Sequence, residues 1–311
     1  MKPKNTLIIT HDNCLDGIAS EAILRAKYGD SADYLPLDHN DYSPKNPEGV
    51  STLLAKLNAY SGAKVYLADI CLPISWLETL LSNGNSVVVI DHHISAASTV
   101  AHFQERLAKG EKLAIAFLFD EKNTQSGALL TWRYIHGDTP APRIIDYISD
   151  GDIWSFKFKE TKWFYAGILN DKKPNDVRAL LTQLIIEEDV ELIQSIVSEG
   201  KALHSQFMAE VMEQVSAAIP IELLGIKGHF IKAERKYHSE LGAAIAIKHG
   251  GFVLLIKEQE DENDLISCSL RSHGDMDVSQ IAAHFGGGGH KNAAGFVCSN
   301  LEALNTLLKP F

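Results

Sequence analysis

Short apolar runs alternate with helical patterns through the first half of the chain. The runs are rich in Val, Ile and Leu and end abruptly, as buried parallel strands do, and they cover residues 6–10, 64–68, 86–90 and 112–119. Apolar residues at helical spacing predict helices near residues 18–26, 53–57, 74–81, 126–135 and 144–149. This alternation predicts an α/β domain whose mostly parallel sheet is covered by helices.

The second half of the chain begins with a different pattern. Residues 174–218 are helical and charged, which predicts a helical connector. A second, smaller α/β domain follows, with elements predicted at residues 241–249, 252–257, 265–270 and 278–285. The acidic stretch 258–264 is predicted to be a solvated hairpin turn. The pattern therefore predicts a first domain at residues 1–160, a connector at 161–219 and a second domain at 220–311.

The composition is that of a folded, soluble protein. The chain has 311 residues, 45% of them hydrophobic and 22% charged, which is enough for two modest cores. No signal peptide is visible, and no apolar run reaches the roughly 18 residues that a membrane span needs. The four cysteines form no CxxC pair. We expect a cytoplasmic protein without a membrane partner, and the oligomeric state is left open, a homodimer included.

The formal net charge of −11 bears on the partners of the protein. Proteins that follow a long polyphosphate backbone normally present a net basic surface. An acidic protein attracts long DNA or RNA poorly unless it carries a local basic groove. We therefore expect a short substrate and no long nucleic acid partner.

Acidic residues and histidines follow several of the apolar segments. They are His11-Asp12-Asn13-Cys14-Leu15-Asp16-Gly17 after the first run, Asp69 after the second, Asp91-His92-His93 after the third, and Asp150-Gly151-Asp152 at the end of a later helix. A single Asp after a strand is usually a turn or helix-cap residue. Four such ends indicate a shared site, because the carboxyl ends of parallel strands meet at one edge of a sheet.

The residue types at these ends indicate metal ions. Carboxylate oxygens suit Mn²⁺ and Mg²⁺, and imidazole adds affinity for Mn²⁺. Two divalent ions roughly 4 Å apart, bridged by a carboxylate, activate water and neutralise charge on a phosphoryl group. The mixture of Asp and His therefore predicts two divalent ions, with Mn²⁺ favoured over Mg²⁺ or another transition metal, and phosphoester hydrolysis as the chemistry.

Five motifs, in this order along the chain, resemble those of the DHH phosphoesterase superfamily. Asp91-His92-His93 resembles its signature, residues 11–17 its first motif, Asp69 its second and Asp150 its fourth. In the C-terminal half, Gly286-Gly287-Gly288-Gly289-His290 with Ala293-Ala294-Gly295-Phe296 resembles the glycine-rich motif of the DHH-associated domain. The resemblance covers nearly the whole chain.

The resemblance implies a role for each matching residue. One metal ion would be held by His11 and Asp69 with help from Cys14, and the other by Asp16, Asp69, His92 and Asp150. Asp69 would thus bridge the two ions. His93 would face the scissile phosphate as a hydrogen-bond donor, and Asp91 is assigned with it to the catalytic residues. Asp152 is expected to support Asp150 or to cap the chain before Trp154.

Position 14 departs from the family pattern. The first motif of the superfamily usually carries Asp-x-Asp, whereas this chain has Cys14-Leu15-Asp16. A thiolate is softer than a carboxylate and would favour softer metals if it ligates one. The alternative is that Cys14 is a small packing residue, and both interpretations are open at this point.

The C-terminal motif indicates where a substrate phosphate binds. Gly287, Gly288 and Gly289 are free to adopt positive φ and to expose backbone N–H groups. His290 and Lys291 add donors and charge. Arg271, at the end of a predicted strand, has a guanidinium that can hold a terminal phosphate through two hydrogen bonds.

The leading hypothesis is the hydrolysis of short linear oligonucleotides, such as the dinucleotide pGpG or nanoRNA, to mononucleotides. The two-domain size is similar to that of the nanoRNase members of the superfamily. A phosphomonoesterase acting on a bisphosphorylated nucleotide such as pAp, or a polyphosphate hydrolase, fits the sequence as well. An alternative of another class is a nucleotide-binding regulatory protein whose metal site is weakened at Cys14.

Overall fold

The computed structural model describes residues 3–12, 14–43, 46–170, 172–257 and 265–310. The chain divides into two compact units, Met1–His204 and Ser205–Phe311. The acidic stretch 258–264, for which a hairpin turn is predicted, lies outside the described residues. None of the described helices has both the length and the apolar character that a membrane span requires.

Strands and helices alternate along the first unit. The elements are β1 (Thr6–His11), α1 (Leu15–Tyr28), β2 (Asp33–Leu37), α2 (Pro47–Asn58), β3 (Lys64–Ala68), α3 (Ile74–Ser82), β4 (Ser86–Asp91), α4 (Ala97–Ala108), β5 (Ile115–Phe119), α5 (Gly127–His136), α6 (Arg143–Asp152), α7 (Glu160–Leu169), α8 (Pro174–Glu187) and α9 (Val190–Gln214), which runs into the second unit. The strands form one sheet in the order β2-β1-β3-β4-β5. Every neighbouring pair is parallel, which confirms the predicted sheet.

Helices cover both faces of this sheet. Successive side chains of a strand point to opposite faces. Leu7 and Ile9 therefore pack into the core that α2, α3 and α4 close, whereas Ile8 packs into a core shared with α1 and α5. Both cores consist of buried aliphatic and aromatic side chains, so the sheet is fixed from two sides.

The segment 161–219, predicted as a connector, is helical over most of its length but is not a separate part. Phe164 of α7 and Leu181 of α8 are buried in one cluster with Ile18 of α1 and Ile148 of α6. Packing against α1 and α6 removes the apolar surface of these side chains from water, whereas a connector without such contacts would leave it exposed. The compact units therefore differ from the three predicted parts.

The second unit is a mixed sheet with three helices in its described part. The elements are β6 (Ile219–Leu223), β7 (Ile226–Lys232), α10 (His238–His249), β8 (Phe252–Ile256), β9 (Ile266–Ser272), α11 (Val278–His284), β10 (Gly288–His290), β11 (Ala293–Cys298), α12 (Leu301–Leu307) and β12 (Lys309–Pro310). The strand order is β10-β11-β9-β8-β7-β6-β12. Among the described strands of this unit, only β7 and β8 pair in parallel. Helix α10 connects them, and a helical crossover returns the chain in the same direction.

Several elements were not predicted, and β2 shows why. It contains Pro36, which argues against a central strand because proline cannot donate a ladder hydrogen bond. β2 lies at the edge of the sheet and pairs only with β1. An edge strand tolerates proline, but the sequence does not reveal which strand is at the edge.

Helices α7 and α9 approach each other at two glycines, which generates a stability prediction. A Cβ at Gly200 would lie 1.8 Å from the Trp163 carbonyl oxygen and 2.6 Å from the Gly167 nitrogen. We expect Gly200→Ala to lower the free energy of unfolding by about 1–3 kcal/mol, since overpacking exceeds the roughly 1 kcal/mol gained in helix propensity. Urea denaturation measures the change, with Ser198→Ala on the exposed face of α9 as the control. An unchanged midpoint for Gly200→Ala would show that the helices separate without cost.

Candidate metal centre and anion pocket

The register of the first sheet aligns the ends of β1, β3 and β4. His11, Asp69 and Asp91 lie at these ends and therefore emerge at one edge of the sheet. Asp69 has a φ of 61°, in the left-handed region that aspartate tolerates better than most residues. The sequence-predicted convergence of these strand ends is therefore present in the fold.

The first group of donor atoms comes from the loop after β1. His11 Nδ1 lies 3.1 Å from Cys14 Sγ, which lies 3.2 Å from Asp69 Oδ2. Cys14 also caps α1, since its sulfur accepts a hydrogen bond of 3.1 Å from the Gly17 N–H. Burial and the charges of Asp69 and Asp16 raise the pKa of the Cys14 thiol. The thiol therefore stays protonated unless a cation is near, and it donates a hydrogen bond to Asp69. Cys14 is thus directed toward the cluster.

The second group is centred on His92. Its Nε2 lies 3.2 Å from Asp69 Oδ1, 3.3 Å from Asp152 Oδ2 and 3.8 Å from Asp16 Oδ2. The donor atoms of Asp16, His92 and Asp152 all lie within 4.8 Å of one another, as do those of His11, Cys14 and Asp69. Asp69 contacts the first group through Oδ2 and His92 through Oδ1. A carboxylate in this position can bridge two ions, which is the role that the resemblance implies for Asp69.

Divalent cations fit the buried carboxylates. Asp16 is fully buried, and its Oδ1 accepts a hydrogen bond of 3.0 Å from the Ala128 N–H. Its Oδ2 has no hydrogen-bond partner among the described residues. Gly127 packs against both carboxylates, where a larger residue would not fit, because a Cβ would lie 2.9 Å from Asp16 Oδ2 and 2.6 Å from Asp69 Cβ. A buried charge without a partner is unfavourable, so the donor set of this cluster suits metal ions held by His11, Cys14, Asp16, Asp69, His92 and Asp152.

The electrostatics of the cluster favour positive charge. Burial and the Asp69 charge raise the pKa of Asp16 well above its usual range, and the same two causes raise the pKa of Asp152 to about 6. Burial also acts to raise the pKa of Asp69, but hydrogen bonds from His11 and His92 outweigh it and lower that pKa. Burial acts to lower the pKa of His92, yet its contacts with Asp69 and Asp16 raise it to about 10. Protons and metal ions therefore compete for the same carboxylate oxygens and imidazole nitrogens.

Asp91 orients a neighbour and belongs to none of these groups of donor atoms in the described chain. Its Oδ1 accepts hydrogen bonds from the N–H groups of His92 and His93 and lies 2.7 Å from His93 Nδ1. These contacts position His93, and the predicted catalytic role of Asp91 stays a prediction. The bond to Asp91 raises the pKa of His93, whose side chain is 39% exposed. The structure thus leaves the second ring nitrogen of His93 open to the predicted role as a donor.

Asp150 and Asp152 lie in different surroundings. Asp150 accepts hydrogen bonds from the N–H groups of Lys157 (2.8 Å) and Phe158 (3.1 Å) and from the hydroxyl of Thr161 (2.6 Å). It belongs to no group of donor atoms in the described chain, whereas Asp152 does, so the geometry favours Asp152, and the metal-binding role of either residue stays a prediction. Two residues that are two positions apart in a helix point roughly 200° apart, and only one of them can face the cluster.

Asn123 is a site residue that the sequence reasoning missed. Its Oδ1 lies 2.7 Å from His92 Nδ1. An amide oxygen accepts, so Nδ1 carries a proton, and Nε2 is the ring atom that faces the carboxylates and could bind a metal ion after losing its own proton. Asp120 holds the turn around Asn123 by accepting hydrogen bonds of 2.7 Å and 2.8 Å from the N–H groups of Thr124 and Gln125. In the sequence, Asp120 and Asn123 after β5 are the only sign of this role, and an Asp and an Asn at such a position are typical of an ordinary turn.

Arg178 of α8 was missed as well. It forms an ion pair of 2.6 Å with Asp12 and a second one with Glu21. Glu21 is buried in α1 and also pairs with Arg25 at 2.6 Å. Arg178 therefore ties the loop that carries His11 to the helix behind it, in a setting where loss of one partner leaves a buried charge.

A pocket of about 480 Å³ lies in the second unit. Arg235, Arg271 and the glycines 287–289 are part of its lining. Arg271 donates to the Leu270 carbonyl (3.0 Å) and to Ser239 Oγ (3.2 Å), whereas its Nε is buried without a partner. Burial and the Arg235 charge lower the pKa of Arg271, with no compensating carboxylate in the described chain. Two cations in a glycine-lined pocket fit an anion such as phosphate.

Not every predicted substrate-binding residue lines this pocket. Arg271 and residues 287–289 do, whereas His290 and Lys291 do not. Both lie at the turn of the β10–β11 hairpin, and Lys291 Nζ pairs with Asp275 Oδ1 at 3.2 Å. Of the glycines 287–289, Gly289 has a positive φ of 139°, and a Cβ there would lie 2.5 Å from Ala294 Cα, whereas the Gly287 N–H donates to the Ala282 carbonyl. Phosphate binding by these glycines stays a prediction.

Comparisons with known proteins agree with this architecture. Residues 239–311 match the family model of the DHHA1 domain. The chain is 26% identical over 322 residues to R106, an uncharacterized protein of Acanthamoeba polyphaga mimivirus, with 96% of this chain and 71% of the relative covered. The pGpG-specific phosphodiesterase PggH from Vibrio cholerae has a similar structure, with a TM-score of 0.54, 12% identity, and 97% of this chain and 95% of that chain covered. RecJ from Thermus thermophilus in complex with Mn²⁺ gives a TM-score of 0.47 at 17% identity, covering 96% and 50%. The DHHA1 match and the likeness to PggH confirm the predicted domain type and fold class.

The different surroundings of Asp150 and Asp152 generate a paired prediction. We expect Asp152→Asn to weaken Mn²⁺ binding at least roughly 10-fold, because it removes a charged carboxylate from the donor group of Asp16 and His92. Stability in EDTA should not fall, because Asp69 repels that carboxylate when no cation is bound. Asp150→Asn should instead lower the free energy of unfolding by about 1–3 kcal/mol and leave Mn²⁺ affinity unchanged, since it disturbs three hydrogen bonds. Isothermal titration calorimetry and urea denaturation measure the two effects. The reverse result would restore Asp150 as the ligand.

Proposed function

We propose that this chain, which carries a DHHA1 domain and shares its fold with PggH, is a metal-dependent phosphodiesterase of the DHH superfamily. Its proposed reaction is the hydrolysis of short linear oligonucleotides, dinucleotides such as pGpG among them, to mononucleotides. Mn²⁺ is the proposed metal, because the donor set mixes carboxylates with imidazoles and one thiol.

The observation that carries the proposal is the buried carboxylate pair Asp16 and Asp69. Asp16 Oδ2 has no hydrogen-bond donor among the residues that the structure describes, and both carboxylates lie beside His92. Bound divalent ions supply an activated water and positive charge for a phosphoryl group. No other cluster in the described chain offers a comparable set of donors.

The protein groups have separate tasks in the proposed reaction. Asp91 fixes His93 through Nδ1, which leaves Nε2 to donate a hydrogen bond to a phosphate oxygen. Asn123 fixes the tautomer of His92. We propose that Arg271 and the glycines 287–289 bind a phosphate group of the substrate in the second unit.

The charge of the chain favours short substrates over long ones. With a net charge of −11, the protein gives a long polyanion little general attraction. The regulatory alternative is less favoured, because Cys14 faces the cluster and the other donors converge with it. Hydrolysis of pAp or of polyphosphate would use the same cluster, so the substrate has to be tested directly.

A substrate panel tests the function. We expect Mn²⁺-dependent cleavage of a dinucleotide to mononucleotides, slower cleavage as the oligonucleotide lengthens, and loss of activity in EDTA. His92→Ala should lower kcat at least about 100-fold, because it removes the imidazole on which the second group of donors is centred, whereas His136→Ala on the exposed end of α5 serves as the matched control. Chromatography of the products distinguishes the outcomes. Faster processive degradation of a long strand, or phosphate release from pAp without dinucleotide cleavage, would contradict the proposal.

The anion pocket gives a second kinetic prediction. Arg271→Ala should raise KM for a dinucleotide roughly 10- to 100-fold, since a charge-assisted bond to phosphate contributes about 1.5–3 kcal/mol. Lys248→Ala, at the exposed end of α10, should leave KM unchanged. Steady-state kinetics with Mn²⁺ measure both variants. An unchanged KM in Arg271→Ala would place the substrate phosphate elsewhere.

A further inference from the structure

A cavity of about 290 Å³ in the first unit opens beside His93. Its lining comes from three places: Tyr42 after β2, residues 69–73 after β3, and side chains between Asp91 and Thr99. Because Asp69 and His93 are among the lining residues, the cavity is continuous with the candidate metal centre. Neither the phosphate chemistry nor the Arg271 pocket uses it, and it is called the Tyr42 pocket below.

The charge of the Tyr42 pocket disfavours a phosphate. Its charged lining consists of the carboxylates Asp69 and Asp91 beside His93, with no lysine or arginine among the described lining residues. This is the opposite of the Arg271 pocket, which offers two guanidinium groups. An anion would be repelled by the carboxylates, whereas an uncharged group would not.

The walls have the chemistry of a site for a flat, weakly polar group. Ile70 and Leu72 provide buried apolar surface, and Tyr42 provides an aromatic ring. Trp76 braces that ring in a T-shaped contact with the centroids 6.3 Å apart. The hydroxyl of Thr99 adds a hydrogen-bonding group. Nucleobases bind to such surfaces by stacking on aromatic rings and by a few hydrogen bonds.

The size of the Tyr42 pocket limits what it can hold. A volume of about 290 Å³ is at the lower end of the range for small-molecule sites, which begins at roughly 300 Å³. One nucleoside is of this order, whereas several stacked nucleotides are not.

We propose that the Tyr42 pocket binds the nucleoside on one side of the scissile phosphate, with its base against Tyr42. The inference rests on the proposed phosphodiesterase function and adds a specificity-determining residue to it. A nucleoside held there places its phosphate at His93 and at the donor cluster, because Asp69 and His93 belong to the walls of the pocket. The pocket then selects dinucleotides over substrates that lack a base at that position.

Three substrates test the proposal: an intact dinucleotide and two versions that lack the base of either the 5′ or the 3′ nucleoside. We expect Tyr42→Ala to lower kcat/KM for the intact dinucleotide roughly 10-fold or more, mainly through KM. For one of the two abasic substrates the same variant should change nothing, since the group that contacts Tyr42 is already absent. Equal losses on all three substrates would overturn the proposal.

Two control variants separate stacking from structural damage. Tyr42→Phe keeps the ring and should retain the wild-type preference for the intact dinucleotide. Tyr134→Ala removes a partly exposed tyrosine of α5 and should affect none of the three substrates. Loss of base preference in Tyr42→Phe to the same extent as in Tyr42→Ala would show that the ring is not the recognition element.

A binding measurement keeps the pocket testable if the proposed function fails. Absence of Mn²⁺-dependent hydrolysis of all three substrates by the wild-type protein would reject the phosphodiesterase function. Calorimetric titration with guanosine, which carries no phosphate for the Arg271 pocket to bind, then tests the Tyr42 pocket alone. Affinity that falls roughly 10-fold or more in Tyr42→Ala and is retained in Tyr42→Phe supports the pocket, whereas equal affinity in the wild type and Tyr42→Ala would overturn it.

Discussion

Two buried carboxylates, Asp16 and Asp69, are the constraint on which the first unit depends. The fold brings them together from α1 and from the end of β3, although like charges in a buried place repel each other. Gly127, at the start of α5, is pressed against both of them and leaves no space for a Cβ. Such an arrangement is favourable only with protons or cations present, so the packing of three elements is linked to the occupancy of the site.

A set of polar residues outside the cluster keeps the donors in place. Asp91 fixes His93, Asn123 fixes His92, and Asp150 fixes the chain that follows Asp152. Asp91 and Asp150 make their hydrogen bonds to neighbouring residues and belong to none of the donor groups in the described chain. The same residue type thus serves as ligand or as support, depending on which donors surround it.

The two units offer different chemistry to a substrate. The first unit has an acidic cluster that attracts cations and, beside it, the uncharged surface of the Tyr42 pocket. The second unit has two guanidinium groups and exposed glycine backbone in one pocket. A nucleotide combines a flat base with phosphate anions, and the chain provides a suitable surface for each of these parts.

The sequence by itself determined the sheet of the first unit and the strand ends that carry the chemistry. Runs such as residues 64–68 and 86–90 are rich in Val, Ile and Leu and are followed by Asp69 or end just before Asp91, so both strands and the position of these carboxylates follow from local pattern. The glycine-rich motif also indicated a DHH-associated domain, predicted at residues 220–311, and the family match at residues 239–311 confirms the domain type.

Only the tertiary structure decided which polar residues reach the cluster. Asp150 and Asp152 are equivalent in the sequence, but the direction of α6 turns one toward Thr161 and the other toward His92. Arg178 and Asn123 lie far from the motifs along the chain, and their roles follow from the packing of α8 and from the turn after β5. A sequence pattern records the period and polarity of an element, whereas the direction of a side chain depends on what that element packs against.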